Sequence, residues 1–426
     1  MRQLSRWVTD GEILVAPLVA LLLIFPTRAP ALTGVGLVML VGVWLVRWRV
    51  QGYPLSPTPL NLALLLLLLM VPIAVWASAI PDLTTEALAY LLAGVILFKA
   101  VAHWVCTPRQ AWWVWGGLVA VGVTLAAVAP LVMNIPSSKL FTLPSLYTRW
   151  AGHFPENINA NVMASALVIL WPIALSGLTS LVSRLKFHIL SIAAALSTLL
   201  LLATLTLTQS RGAYLGTVVS LLVLLGLRRP RMARVIVPLA VIAALVGGSL
   251  VGWDRVADEL TAGDVTGGLD QRVEIWSRAV YAIQDFAFTG LGLGTFEQVV
   301  AVLYPLFLNP DGTVPHAHNL LLQVAVDLGL PGLVAYLALL SLTFVGGFSA
   351  YRAFQQQGQS ALAGLCTGCI AGLVGMCVHG LVDVANWGIK LAFVPWAVMG
   401  LMVGLREVAE GQGIRANQET QAQNQG

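Results

Sequence analysis

Charge is what this sequence has least of. Of 426 residues, 23 are Lys or Arg and 19 are Asp or Glu, so 10% are charged, against about 25% in an ordinary soluble domain. Together with 58% hydrophobic residues and a mean hydropathy of +0.85, this excludes a soluble globular enzyme, a disordered chain and a fibrous repeat. Cysteine is scarce too. The four, Cys106, Cys366, Cys369 and Cys377, provide no disulfide framework. Cys366 and Cys369 form a C-x-x-C with no second pair to complete a zinc site, and they read as small packing residues of an apolar helix. There is no P-loop, no G-x-S-x-G and no D-x-D for a metal-bound nucleotide sugar. Gly290-Leu-Gly-Leu-Gly294 follows no strand, so it is no dinucleotide site. Nucleic-acid-binding features are lacking.

What is present is a series of apolar runs. A bilayer span needs about 20 such residues, and the breaks place spans near 13–26, 30–46, 59–78, 87–105, 112–133, 160–182, 187–207, 212–227, 232–251, 319–349, 361–379 and 388–405. The expected fold is an all-α polytopic membrane protein of about 12 transmembrane helices. The charged start, Arg2 and Arg6, resembles a signal peptide, but the spans behind it favour a retained first helix. Prolines within or at the ends of spans (Pro17, Pro72, Pro172, Pro395) are tolerated where neighbouring helices satisfy freed carbonyls. Gly364, Gly368 and Gly372 share a helical face and indicate close helix packing.

Basic residues orient the chain. With the N-terminus in the cytoplasm, 15 of the 23 Lys and Arg residues fall on inner segments and 8 on outer ones, which makes both termini cytoplasmic. The domain reading is 1–251 for nine helices, 252–318 for an outer loop, 319–405 for three more helices and 406–426 for a disordered cytoplasmic tail. Two outer segments are long, about 134–159 and 252–318, and the second carries 9 of the 19 acidic residues. Within it Val273, Trp276, Val280 and Ile283 recur at helical spacing, which predicts an amphipathic helix on the outer surface.

Charge at a membrane rim is costly, so the exceptions are the candidates for chemistry. Arg211 stands where two apolar spans meet on the outer side, and its guanidinium offers a bidentate fork for phosphate; the plain alternative is a snorkelling side chain. Arg272 and Arg278 lie on the surface helix, where pairing with Asp270 or Glu274 would be structural and worth little. His316 and His318 lie where the long loop enters the tenth span. They could serve as base, acid or metal ligand, but no third and fourth ligands stand at recognisable spacing. His379 and Asp383 share a helical face at the end of the eleventh span, fit for proton transfer or simply for ordering a helix end.

These segments together resemble a known family. His318-Asn319, nine residues, then Gly329-Leu-Pro-Gly332 is similar to the H-N-x9-G-x-x-G signature of the O-antigen ligase and O-antigen polymerase superfamily. Ser210-Arg211-Gly212 resembles its S-R-G segment. Arg272-Val-Glu-Ile-Trp276 with Gly290-x-Gly292-x-Gly294-x-Phe296 resembles its loop motifs, and His379-Gly-Leu-Val-Asp383 a late one. Asn159-Ala-Asn161-Val-Met-Ala164 resembles an N-P-N-x-x-A element with Ala160 in place of proline.

The resemblance implies a glycosyltransferase at the outer face of the plasma (inner) membrane, acting in lipopolysaccharide or cell-envelope polysaccharide biosynthesis. It would move a glycan from undecaprenyl diphosphate to an acceptor hydroxyl, on lipid A–core in the ligase branch or on another lipid-linked repeat unit in the polymerase branch. It implies no metal and no other cofactor. Arg211 and Arg272 would bind diphosphate, and His318 would act as base. Arg278, His316, Asn319, Asn161, His379 and Asp383 are candidate substrate-binding residues. The competing readings are a bicarbonate or small-anion transporter, which would call for a repeat with paired broken helices, and a non-catalytic scaffold. Oligomeric state leaves no mark in the sequence.

Overall fold

A computed structural model describes residues 2–24, 30–53, 56–134, 158–185, 188–252, 269–308, 314–384 and 386–424. Most of the expected 134–159 loop, and residues 253–268 and 309–313 of the second loop, lie outside the described residues.

The described chain is nearly all helix. In order it forms α1 (Arg2–Leu23), α2 (Pro30–Gln51), α3 (Asn61–Ala77), α4 (Pro81–Trp104) and α5 (Pro108–Val132). Two-residue strands β1 (Met133–Asn134) and β2 (Ile158–Asn159) pair in parallel. Then come α6 (Ala160–Leu185), α7 (Ile189–Leu207), α8 (Arg211–Arg228), α9 (Pro230–Val251), α10 (Leu269–Asp285), α11 (Phe296–Leu303), α12 (Leu320–Gln356), α13 (Ser360–His379) and α14 (Phe393–Asn424). Among the described residues, eight helices (α2, α4 to α8, α12 and α13) are long and apolar enough to cross a membrane. The chain is therefore a multi-pass, all-α membrane protein.

Four helices start earlier than, or right at, the start of an apolar run because proline opens them: Pro30, Pro81, Pro108 and Pro230. Proline's fixed φ suits a first helical position, where its missing N–H would have no partner anyway. Thr107 caps α5 by accepting the Gln110 N–H at 3.3 Å.

Small residues set the packing. The glycine face of α13 lies on α6, where a Cβ on Gly372 would meet the Ile169 carbonyl oxygen at 2.6 Å. The other side of α13 meets α8, whose Ser220 hydroxyl donates to the Ala371 carbonyl at 2.7 Å. Trp396 of α14 packs against Gly94 of α4. Membrane helices gain little from apolar burial against each other, so such close backbone approach is what holds them.

Four charged or titratable groups tie the opposite end of the first helices together. Arg47 of α2 is fully buried, pairs with Glu12 of α1 and lies 2.8 Å from His103 Nδ1 of α4. Lys99 of α4 donates to the Ser56 carbonyl at 3.1 Å and to Asn61.

α12 is broken where Gly329 takes φ +69°. The break frees backbone groups that bind the loop after α10. Leu291 N–H donates to the Val326 carbonyl, and Leu330 N–H to the Ala287 carbonyl, each at 2.7 Å. Gly290, Gly292 and Gly294 all have positive φ and thread between α12, α3 and α4. This is the physical meaning of the glycine-rich stretch.

The helix expected in the second loop is present as α10. Its buried face is Gln271, Ile275, Ala279 and Ala282, whereas Val273 and Val280 are exposed. The helix turns this face to a small core with Phe296, Val300, Leu306, Ala317 and Val326, so packing on α12 overrides its apolar stripe. The tail expected to be disordered from 406 continues α14 as helix to Asn424. An Arg406–Glu410 pair at 2.7 Å supports it, and Gln357 and Gln359 bond to Ala409 and Gln412.

A testable consequence concerns Gly290. Its φ is +68° and an added Cβ would meet the Val326 oxygen at 2.6 Å. Gly290→Ala should destabilise by about 1–3 kcal/mol, read as a lowered melting temperature in detergent. Gly226→Ala, with open space around it, should not; equal melting temperatures for the two variants would contradict this account of the loop.

Candidate functional site

The site starts from an N-cap. The Asn319 side chain accepts the Leu321 and Leu322 amides at 3.0 and 3.1 Å and so starts α12. Its Nδ2 donates to the Leu381 carbonyl at 3.0 Å, and Leu320 N–H donates to the Gly380 carbonyl at 2.7 Å. These bonds lash the start of α12 to the end of α13. They bring His316 and His318 against His379 and Asp383.

The Asp383 carboxylate lies between three imidazoles. Its Oδ1 is 3.7 Å from His316 Nε2 and 3.8 Å from His318 Nδ1, and its Oδ2 is 3.9 Å from His379 Nε2. These separations exceed hydrogen-bond length. Oδ1 instead accepts the Val384 N–H at 2.8 Å. The His316 and His318 rings meet edge to face at 4.3 Å. His318 and His379 are 5% and 1% exposed, and none of their ring nitrogens has a hydrogen-bonding partner among the described residues.

Burial holds the cluster's outer groups away from their ordinary protonation. It lowers the His316 pKa, against the pull of Asp383. It lowers His318 to about 3, with His316 and Arg272 adding to the effect. Both rings are therefore neutral near pH 7. For Asp383, burial pushes upward, but the positive charge the three histidines gain as they take up protons, with the Val384 amide, outweighs it and holds the carboxyl below its usual value.

Arg272 adjoins this cluster, and the α8 segment that starts with Arg211 abuts the end of α13. Arg272 is on the first turn of α10, and its charge is felt at both loop histidines. One turn later, Trp276 Nε1–H donates to the His318 carbonyl at 3.3 Å. Arg211 is the first residue of α8. Next to it, a Cβ on Gly212 would come within 2.9 Å of His379 Cδ2 and 2.6 Å of Val382 Cγ2. Only glycine allows α8 to abut α13 that closely, which sets the first turn of α8 beside the end of α13.

Backbone strain marks the same end of the bundle. Among the described residues, the non-glycine residues with positive φ are Gln209, His318 and Asn386. Each adjoins one of the segments above, and such strain persists where surrounding structure enforces it. Asn386 Nδ2 donates to the Ser165 carbonyl at 3.1 Å. Asn161 lies one turn before Ser165 at the start of α6, its N–H bonded to Asn159 Oδ1 at 2.8 Å. The Asn159–Ala164 element is thus joined to the chain just after Asp383.

Arg278 sits differently. It donates to Glu274 at 3.0 Å and to the Pro305 carbonyl at 3.1 Å, and lies over the rings of Phe307 and Tyr281. Glu274 in turn accepts the Phe307 and Leu308 amides at 2.6 and 3.1 Å. Arg278 clamps the loop to itself.

Sequence reasoning passed over a support behind the histidines. Asp327 of α12 accepts from Trp387 Nε1 at 2.8 Å, Gln323 Nε2 at 2.9 Å and Gly294 N at 3.3 Å. Gln323 Oε1 accepts the Ala317 N–H at 2.8 Å. The available signal was a carboxylate inside an apolar run, which demands partners. A cavity of about 330 Å³ opens nearby, lined by Glu86, Tyr90, Asn159, Gly294 and Lys390 among others. The histidines do not line it. The titratable cluster, where charge can develop, marks the chemistry better than the cavity does.

The cluster also has the makings of a cation site. Ligand atoms of His316, His318 and Asp383 lie within 4.8 Å of one another. The sequence showed only the H-x-H pair, because the carboxylate arrives from the far end of α13.

Residues 196–337 match the family model described as O-antigen ligase. Over those residues the chain is similar to the O-antigen ligase and O-antigen polymerase superfamily. The match spans about a third of the chain. It contains Arg211, Arg272, His316, His318 and Asn319, and not Asn161, His379 or Asp383. No curated protein matches the chain.

The neutral histidines carry a pH signature. Their folded pKa values lie below the unfolded value of about 6.5, so the unfolded chain takes up protons first as pH falls. Their contribution is present above pH 6.5 and is lost below it, until His318 itself titrates at about 3. The melting temperature in detergent should fall between pH 7 and pH 5, and fall less in His318→Gln. An identical pH slope in both proteins would contradict the buried neutral state.

Proposed function

We propose that the chain is an O-antigen ligase-type glycosyltransferase of the outer face of the plasma membrane. It moves a glycan from undecaprenyl diphosphate to an acceptor sugar hydroxyl. The observation that supports this is the meeting of the Arg211 segment, Arg272 and His318 at one end of the bundle, from three separate stretches of chain. In this reading twelve helices cross the membrane, both termini are cytoplasmic, and the α10 loop covers the site.

The acceptor O–H gives its proton to His318 as its oxygen bonds to the donor's anomeric carbon. The anomeric C–O bond to phosphate breaks, and the electron pair leaves with the diphosphate. Arg211 and Arg272 bind that leaving group and stabilise its growing charge. His318 is a weak base in the free protein because it is buried and lies near Arg272. A bound diphosphate offsets Arg272, and Asp383, 3.8 Å from Nδ1, faces the imidazolium as it forms. Donor binding thus raises the basicity of His318 when the acceptor needs it. Phosphate neutralised by guanidinium accounts for the chemistry without an acidic metal cluster.

Arg211→Ala, Arg272→Ala and His318→Ala should each reduce glycan transfer by about a hundredfold or more while the protein stays in the membrane. The assay is transfer from purified undecaprenyl-diphosphate glycan in proteoliposomes. A fully active triple variant would remove the basis for this function. Transfer to a separate lipid A–core acceptor fits a ligase, whereas chain growth on the lipid carrier fits a polymerase with the same groups.

A further inference from the structure

We infer that His316, His318 and Asp383 form a binding site for a divalent transition-metal ion, and that an ion bound there switches the transfer reaction off. The inhibitory half rests on the function proposed above; the binding half does not.

The geometry carries the site. Asp383 Oδ1 stands 3.7 and 3.8 Å from His316 Nε2 and His318 Nδ1, too far for hydrogen bonds. Zinc–ligand bonds of about 2.0–2.1 Å set ligands about 3.3–3.5 Å apart at the edges of a tetrahedron. The two carboxylate–imidazole separations need close by only a few tenths of an ångström, and the ligand atoms as a set, within 4.8 Å of one another, by at most about 1.5 Å to share an ion. His379 Nε2, 3.9 Å from the second carboxylate oxygen, borders the same carboxylate from the other side. His318 is nine-tenths buried, and neither of its nitrogens is hydrogen-bonded among the described residues. That leaves it without competition for a ligand. At His316, a 3.3 Å bond from His318 N–H to Nδ1 competes. Ligation through Nε2 places the ring proton on Nδ1 and gives up that long bond.

Charge defines which ion. Asp383 supplies one negative charge, while Arg272 opposes any cation. Ions that depend on electrostatics and oxygen ligands, such as Mg²⁺ and Ca²⁺, should bind poorly. Ions with strong imidazole affinity, such as Zn²⁺, Co²⁺ and Ni²⁺, should bind. An ion on Nδ1 leaves the ring proton on Nε2, so neither nitrogen of His318 keeps a lone pair to accept the acceptor's proton. It also neutralises the carboxylate facing that ring. Zn²⁺ therefore acts as an inhibitor at this site.

The test uses the full-length chain in detergent, stripped with a chelator. Co²⁺ should bind one ion per chain by equilibrium dialysis, with the visible bands of a low-coordinate site, and Zn²⁺ should displace it. His316→Ala, His318→Ala and Asp383→Asn should each weaken binding at least tenfold, while Mg²⁺ should not compete. Should one variant fail to fold, the other two make the same comparison. In proteoliposomes, saturating Zn²⁺ should reduce transfer at least tenfold, and a chelator should restore it. Co²⁺ binding that is missing, or unchanged in all folded variants, overturns the site. Zn²⁺ binding with transfer undiminished overturns the inhibition. If Co²⁺ fails to bind while His318→Ala still blocks transfer, only this inference falls. If Co²⁺ binds and His318→Ala transfers normally, the site stands and the glycosyltransferase reading falls with the inhibition.

Discussion

Two hydrogen bonds between distant stretches of chain hold the candidate site together: Leu320 N–H to the Gly380 carbonyl and Asn319 Nδ2 to the Leu381 carbonyl. Without them the start of α12 and the end of α13 would be neighbours without a fixed register. With them, one residue, Asn319, caps a helix and docks it. The positive φ of His318 follows, since the chain must turn sharply before the cap. Everything at this end is placed relative to that junction. α8 reaches it through Gly212, α10 through Trp276, and α6 through Ser165 and Asn386.

Much of the fold was legible in the sequence because a membrane leaves few options. Every long apolar run had to be a helix, since only internal hydrogen bonding satisfies a backbone in lipid. Helix starts were less legible where proline opened them, as at Pro81, because the first turn of α4 also holds Asp82 and two threonines and looks like loop. The face that α10 turns to the protein was illegible for a different reason. Periodicity marks apolar residues but not which of them find a partner, and Ile275, Ala279 and Ala282 fit α12 better than Val273 and Val280.

The site was legible as a set of motifs and not as an arrangement. Scarcity of charge singled out Arg211 and Arg272, and with them the two loop histidines and the His379–Asp383 pair. The resemblance added roles for Arg211, Arg272 and His318. No pattern could show that one carboxylate would stand between three imidazoles, because that depends on how α12 crosses α13. The helical spacing of Glu274 and Arg278 made their pair legible, but not the hold of Pro305 and two rings on Arg278. The glycines of 290–294 had a reading as a motif but acquired a physical reason only with the break at Gly329. A loop that threads between three helices needs backbone without side chains, and a broken helix offers it hydrogen-bonding groups.

Arg211 and Arg228 begin and end the same helix. The eighteen residues of α8 span about 27 Å at the usual helical rise, close to the thickness of a hydrocarbon layer of about 30 Å. Arg228 is pinned to α6 through the Ser176 carbonyl at 3.1 Å and the Ser180 hydroxyl at 3.0 Å. α8 therefore acts as a ruler with one end fixed. In the proposed orientation, the depth of the Arg211 backbone relative to the headgroups is set by the length of α8. A thicker bilayer would then submerge Arg211 and a thinner one would lift it clear, so membrane composition would reach the proposed site through a single helix.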